Sequence, residues 1–252
     1  MQNEKNKKVA LITGGARRVG ATIARALHAQ GLRVIIHYRT SADEASALCA
    51  EFNKLRPDSA LSLPADLDNL SSLSELVQTA NNTWGRLDVL INNASSFYPT
   101  PIGSITELQW NELLNSNLKA PFFLSQAAAP LLTQSQGCII NLIDIRAYQP
   151  LNSYAVYSIA KAGLLMLTKT LAKELAPAVR VNAIAPGVVQ WPDTDNKNKF
   201  DAALCEKIIA RTPLKRIGTP QDIANAAVFL VQHADYMTGQ TLIIDGGRLL
   251  QG

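Results

Sequence analysis

The stretch Val9-Ala10-Leu11-Ile12-Thr13-Gly14-Gly15-Ala16-Arg17-Arg18-Val19-Gly20 joins an apolar run to a glycine turn and then to a segment of helical period. Val9–Thr13 reads as a buried strand, and Arg18–Gln30, ending at Gly31, as the helix that follows it. Gly14 allows a tight turn, and Gly20 allows that helix to pack closely on the strand. The helix N-terminus offers unbonded N–H groups and partial positive charge, which suit a pyrophosphate. Arg17, Arg18 and Val19 stand at that terminus and are candidate cofactor contacts.

Downstream the same alternation repeats. Short apolar runs at Arg33–His37, Ala60–Pro64, Val89–Ile91, Cys138–Leu142, Arg180–Ala183 and Thr241–Ile244 predict strands. Helical period runs through Ala42–Leu55, Leu70–Trp84, a long segment around Ile105–Leu132, roughly Ser153–Leu175, and Pro220–Val231. Parallel strands need crossover helices lying on the sheet, and right-handed crossovers wind those helices onto both faces. The expected fold is α/β: one Rossmann domain over residues 1–252, with a doubly wound seven-stranded parallel sheet. An irregular polar stretch, about 188–205, is expected to form a substrate-side loop. Ligands of such sheets bind beyond the carboxyl ends of the strands, so the residues just after strands carry the function.

The bulk composition agrees with one large core. Of 252 residues, 47% are hydrophobic and 17% charged, and mean hydropathy is +0.04, which excludes a disordered chain. No Pro/Ser/Gly-rich linker divides it. No apolar run approaches the roughly 20 residues of a membrane span. The charged N-terminus leads into a short apolar run and a glycine turn, not a small-residue cleavage site, so a cytoplasmic protein is expected. Cys49, Cys138 and Cys205 are odd in number and widely spaced, and His28, His37 and His233 form no metal-binding pair, so no disulfide framework or metal is expected. The net charge of +4 is scattered, which argues against a nucleic-acid surface and suits an anionic cofactor.

An NAD site usually has an acid at the end of the second strand, to accept from the ribose 2′-hydroxyl. Here that position reads His37-Tyr38-Arg39-Thr40-Ser41, without a carboxylate. Arg39 can pair with a 2′-phosphate as a planar fork, with Thr40 and Ser41 adding donors, which predicts NADPH/NADP. Asp66 and Leu67, after the third strand, are placed for the adenine, and Asn93-Ala94-Ser95, after the fourth, for the ribose.

Tyr157-Ser158-Ile159-Ala160-Lys161 puts a phenol and an ammonium on one helix face. A free phenol, with pKa near 10, is a poor catalyst at neutral pH, and the nearby ammonium is expected to lower it. With these residues in place the chain resembles the short-chain dehydrogenase/reductase family from Lys8 to the end. Thr13–Gly20, Asn92-Asn93-Ala94, Asn117, Tyr157 with Lys161, Pro186-Gly187 and Asp245-Gly246-Gly247 follow the family's order. The resemblance implies that Pro186, Gly187 and Val188 contact the cofactor. It also implies that Asn117 holds a water in the proton relay to Lys161; the plainer reading of Asn117 is a helix-kink residue.

One departure is informative. Most of the family has serine at the end of the fifth strand, where this chain has Asp144. A carboxyl beside the hydride acceptor suits proton delivery to a ring nitrogen; the blander alternative for Asp144 is a cap or loop residue. In this, in Arg18 and in Asn93–Pro101, the chain resembles the pteridine reductases. That resemblance implies a pterin ring stacked on Phe97, hydrogen-bonded by Ser95 and near Arg18, with Tyr157 and Asp144 supplying the proton. A pterin or folate is then the implied substrate. Trp191 either covers the pocket or anchors its loop. A homotetramer is also implied, and the C-terminal segment 248–252 is a candidate to reach a neighbouring pocket. Two other readings share the fold: a carbonyl or 3-oxoacyl-thioester reductase, and a non-catalytic NADP-sensing protein.

Overall fold

Side chains along a strand point alternately to the two faces of its sheet, so a sheet covered on both faces needs strands that are apolar throughout. The computed structural model, which describes residues 7–189 and 202–251, has seven strands, mostly apolar. They are β1 (Val9–Ile12), β2 (Arg33–Tyr38), β3 (Ala60–Pro64), β4 (Val89–Asn92), β5 (Cys138–Leu142), β6 (Arg180–Pro186) and β7 (Thr241–Ile244). All pair in parallel, in the order β3-β2-β1-β4-β5-β6-β7. The chain winds outward from β1 to β3 and then crosses back to β4, so a crevice opens between the carboxyl ends of β1 and β4.

The helices are α1 (Arg18–Ala29), α2 (Ala42–Leu55), α3 (Leu70–Trp84), α4 (Glu107–Leu114), α5 (Ala120–Ser135), α6 (Ala155–Leu175), α7 (Ala202–Ala210) and α8 (Pro220–Gln232). The central strands feed two cores. Ala10 and Ile12 of β1 pack with α1, α2 and α8 on one face, while Val9 and Leu11 pack with α3, α5 and α6 on the other. The single doubly wound α/β domain expected from the alternation is therefore present. Among the described residues no helix is long and apolar enough to cross a membrane.

Some boundaries differ from the sequence-based expectation. The long helix around Ile105–Leu132 is two helices, α4 and α5, joined by a π-helical turn at Asn115–Lys119. It starts later because Thr106 and Gln109 cap α4 reciprocally. Helix α6 starts at Ala155 because Ser153 takes φ +65°, outside helical space. Strand β6 runs on to Pro186 because Ala183–Pro186 pairs with all of β7. Helix α7 occupies part of the stretch read as irregular; its short apolar pattern was masked by the polar sequence before it.

A buried polar chain sets the position of α6 against the sheet. Asn92 Nδ2 donates to Asn141 Oδ1 at 2.8 Å, and Asn141 Nδ2 donates to Thr168 Oγ1 at 2.9 Å. Buried amides demand such partners, so β4, β5 and α6 are locked in one register. That register brings the N-terminal turns of α6 to the crevice.

Candidate active site

The crevice is built around the glycine turn after β1. Thr13 Oγ1 accepts from the backbone N–H groups of Asn93 (2.9 Å) and Ala94 (3.0 Å) and donates to Ile91 O (3.3 Å), tying β1 to β4. Asn93 Nδ2 donates to the carbonyls of Thr13 (2.8 Å) and Gly14 (3.1 Å). Its amide therefore shapes the turn, in addition to lining the cleft. Gly14 sits at φ +58°, and a Cβ on Gly20 would lie 2.4 Å from Gly14 O and 2.6 Å from Asn93 Nδ2. This is the tight turn and close helix packing of a dinucleotide-binding turn, so the residues present fit such a cofactor.

His37 plays a part that its place in the sequence does not reveal. Gly14 N–H donates to His37 Nδ1 at 3.1 Å, and His37 Nε2 donates to Ala65 O at 3.1 Å. Those partners require the neutral ring with its proton on Nε2, and burial pushes its pKa below 6.5. His37 thus clamps the glycine turn to the ends of β2 and β3. Arg18, at the head of α1, sits at φ +50°, a conformation that costs a non-glycine residue of order 1 kcal/mol or more. No side chain caps α1, which leaves its first-turn N–H groups facing the cleft.

The cleft encloses about 450 Å³ and runs from the β2 end to α6. Its walls bring together Gly14, Arg17, Arg18, Val19, Gly20, His37, Arg39, Asp66 and Leu67 with Asn93, Ala94, Ser95, Asp144, Tyr157, Lys161 and Pro186. Arg17 is also ion-paired with Glu44 at the start of α2. Tyr38, Thr40, Ser41, Phe97, Asn117, Gly187 and Val188 are not on its walls. Gly187 serves packing instead, since a Cβ there would come within 2.8 Å of Asp245 Cα. Asp68, Ser96 and Ser116 line the cleft without having been foreseen. Burial and then the charge of Asp66 push the Asp68 carboxyl up, and its Oδ1 has no hydrogen-bond partner.

At the α6 end lies the chemistry. Tyr157 Oη donates to Asp144 Oδ2 at 2.9 Å, and Asp144 Oδ1 accepts from Arg146 N at 2.8 Å. Asp144 is therefore both the cap of a 3-10 turn, Ile145–Ala147, and the partner of the tyrosine. Desolvation pushes the Asp144 carboxyl up. Burial and then the Asp144 charge push Tyr157 well above 10, the reverse of the lowering expected from Lys161 alone. Lys161 Nζ donates to Leu142 O at 2.9 Å and lies 5.6 Å from the Tyr157 ring centroid. Its own pKa falls to about 8 through burial.

Asn117 sits in the π-helical turn, where Gly163 of α6 makes room for Leu118. Its Nδ2 donates to Ser96 O (2.9 Å) and Leu113 O (3.0 Å), and its Oδ1 is buried without a partner. It is a kink residue, then, that also anchors the 95–100 loop. Thr100 bridges the far end of that loop to Tyr154 at the head of α6. The loop thereby holds Phe97 stacked on Tyr154 at 4.5 Å and edge-on to Tyr157 at 4.8 Å, with one side of its ring exposed. The role of Tyr154 was not legible beforehand, because the stack joins residues far apart in sequence. Trp191 and most of the 188–205 loop lie outside the described residues.

A short-chain dehydrogenase model described as Enoyl-(Acyl carrier protein) reductase matches residues 14–248. A pteridine reductase 1 from Leishmania tarentolae is 36% identical, with 96% of each chain covered. A 3-oxoacyl-acyl-carrier-protein reductase from a Synechocystis species is also 36% identical, over 96% of this chain and 97% of the relative. One from Staphylococcus aureus is 34% identical over 98% and 100%. Identity alone does not separate the two substrate classes, so the choice between them falls to the residues of the cleft.

Proposed function

The chain belongs to the short-chain dehydrogenase/reductase family of oxidoreductases, and we propose that within it the protein is an NADPH-dependent pteridine reductase. The observation that carries this reading is the hydrogen bond from Tyr157 Oη to Asp144 Oδ2, with the carboxyl held high by desolvation. A ketone or thioester carbonyl needs one proton donor at oxygen. A C=N bond in a pterin offers a ring nitrogen, and a coupled phenol–carboxyl pair suits proton delivery there.

The residues divide the work. Arg39, exposed on the cleft wall at the end of β2, supports a 2′-phosphate and so NADPH over NADH. The glycine turn and the open N-terminus of α1 receive the pyrophosphate. When bound, the reduced nicotinamide supplies a hydride to the substrate carbon. Phe97, fixed by Tyr154, offers its exposed face to a flat heterocycle. Arg18 and Ser95 lie on the cleft wall and orient the ring. Tyr157 holds the proton at Oη and passes it on, while Asp144 holds the phenol in place and shares the proton. Lys161, fixed to Leu142 O, supports the nicotinamide ribose. The 34–36% identical 3-oxoacyl-acyl-carrier-protein reductases favour a second reading, reduction of a 3-oxoacyl thioester.

Oxidation of NADPH with dihydrobiopterin, dihydrofolate and an acetoacetyl thioester, using wild type and Asp144→Ser, separates the two. Pterin-dependent oxidation that falls about 100-fold or more in Asp144→Ser is expected, the scale of a lost acid–base group. Thioester turnover with silent pterins refutes the pterin reading.

A further inference from the structure

A second concavity, of about 260 Å³, lies beside the 3-10 turn that Asp144 caps. Three arginines line it, Arg146, Arg211 and Arg248, together with Gln149, Asn152 and Gln251. The arginines come from separate parts of the chain: the 3-10 turn two residues past Asp144, the position after α7, and the turn after β7. Among the described residues no acidic side chain is on its wall and none of the three arginines is ion-paired. Asp144 and Asp245, the carboxylates within Coulombic reach of Arg248, are engaged elsewhere. Asp144 accepts from Arg146 N and Tyr157 Oη, and Asp245 accepts from the N–H groups of Gly247 (2.7 Å) and Leu249 (2.8 Å). Among the described residues Arg248 Nη1 is buried without a hydrogen-bond partner. Desolvation, then the charge of Arg146, lowers the Arg248 guanidinium pKa.

A guanidinium with one nitrogen buried and unpartnered, set among like charges, is relieved by an anion. We propose that Arg146, Arg211 and Arg248 form a carboxylate subsite that takes the glutamyl tail of a folate-type substrate. The inference rests on the pterin reading, because it assumes a ring seated against Asp144. The geometry supports a tail rather than an isolated ion. Arg146 N holds Asp144 Oδ1, so one 3-10 turn joins the proton-donating pair to the subsite. Guanidinium forks match carboxylates two hydrogen bonds at a time, and a glutamyl tail carries two carboxylates. A dihydropterin with a short hydroxylated side chain has no anion to place there.

The tail fragment alone, p-aminobenzoylglutamate, titrated into the full chain by calorimetry beside inorganic phosphate, tests the subsite without any pterin. Saturable fragment binding is expected, weakened about tenfold or more by Arg248→Leu and by Arg211→Leu, with Arg248→Lys retaining part of it. Arg211 is exposed, so its variant reads the charge even where Arg248→Leu disturbs folding. In kinetics the same variants lower kcat/KM for dihydrofolate relative to dihydrobiopterin by about tenfold, through KM. Fragment binding that is absent, or equal in wild type and both leucine variants, overturns the subsite. So does phosphate that binds as tightly as the fragment without any dihydrofolate preference, which would mark a simple anion site. Arginine-dependent fragment binding with no pterin turnover supports the carboxylate subsite and instead sinks the pterin reading.

Discussion

Lys161→Met should make the protein more stable and nearly inactive. Lys161 is 3% exposed and its ammonium donates to Leu142 O at 2.9 Å. Burial lowers its pKa from 10.5 to about 8, against a smaller upward pull from Asp144. By linkage, that drop corresponds to about 3 kcal/mol against folding at neutral pH. The folded value lies below the unfolded one, so the unfolded chain binds the proton more tightly between pH about 8 and 10.5. Wild-type stability from this group is therefore lowest below pH about 8 and recovers as pH rises to 10.5. Methionine fills a similar volume without the charge but leaves Leu142 O short of a partner, an offset of about 1 kcal/mol. The net gain near pH 7 is about 2 kcal/mol, or about 4–8 °C in Tm for a chain of this size. Calorimetric melting of both proteins near pH 7 and near pH 9.5, beside turnover with NADPH, checks it. The advantage of methionine should narrow at the higher pH while activity stays lost. A methionine variant no more stable than wild type near pH 7, or an advantage unchanged near pH 9.5, refutes the charge-burial argument.

Two further outcomes follow from the cofactor half of the cleft. Gly20→Ala should lower stability by about 1–3 kcal/mol and weaken NADPH binding, because the new Cβ would lie 2.4 Å from Gly14 O, a backbone atom that Asn93 holds in place. Urea midpoints and NADPH fluorescence titration read both effects, and a fully stable, tightly binding alanine variant would contradict the close-approach reading. Arg39→Asp should shift the kcat/KM ratio of NADPH to NADH toward NADH by about tenfold to a hundredfold, the scale of one charge-assisted hydrogen bond. An unchanged ratio would place cofactor selectivity on another residue.

The cleft shows how residues with clear sequence signatures acquire their chemistry. Tyr157 and Lys161 were legible as a pair because four residues on a helix is a local spacing. The acidity of that pair was not legible. It depends on burial first and then on Asp144, 13 positions upstream by chain but bonded to Tyr157 through the register of β5 against α6. Arg39 was legible from the missing acid at the end of β2. By contrast, the ring of His37 and the amide of Asn93 were read as cofactor contacts, and their hydrogen bonds go to the glycine turn. For Asn117 a kink was one of the two readings the sequence offered, and packing against α6 shows its form, a π-helical turn.

By itself, then, the sequence determined the strand–helix alternation, the glycine turn, the parallel doubly wound sheet and the tyrosine–lysine pair. Each follows from periodicity and backbone freedom within a few residues of chain. Tertiary structure alone decided which groups meet at the carboxyl ends of the strands: Tyr157 with Asp144, Phe97 with Tyr154, His37 with Gly14, and the three arginines of the second concavity. Those meetings are set by strand register and helix packing between distant segments, and desolvation at the meeting point fixes the protonation that local sequence leaves open.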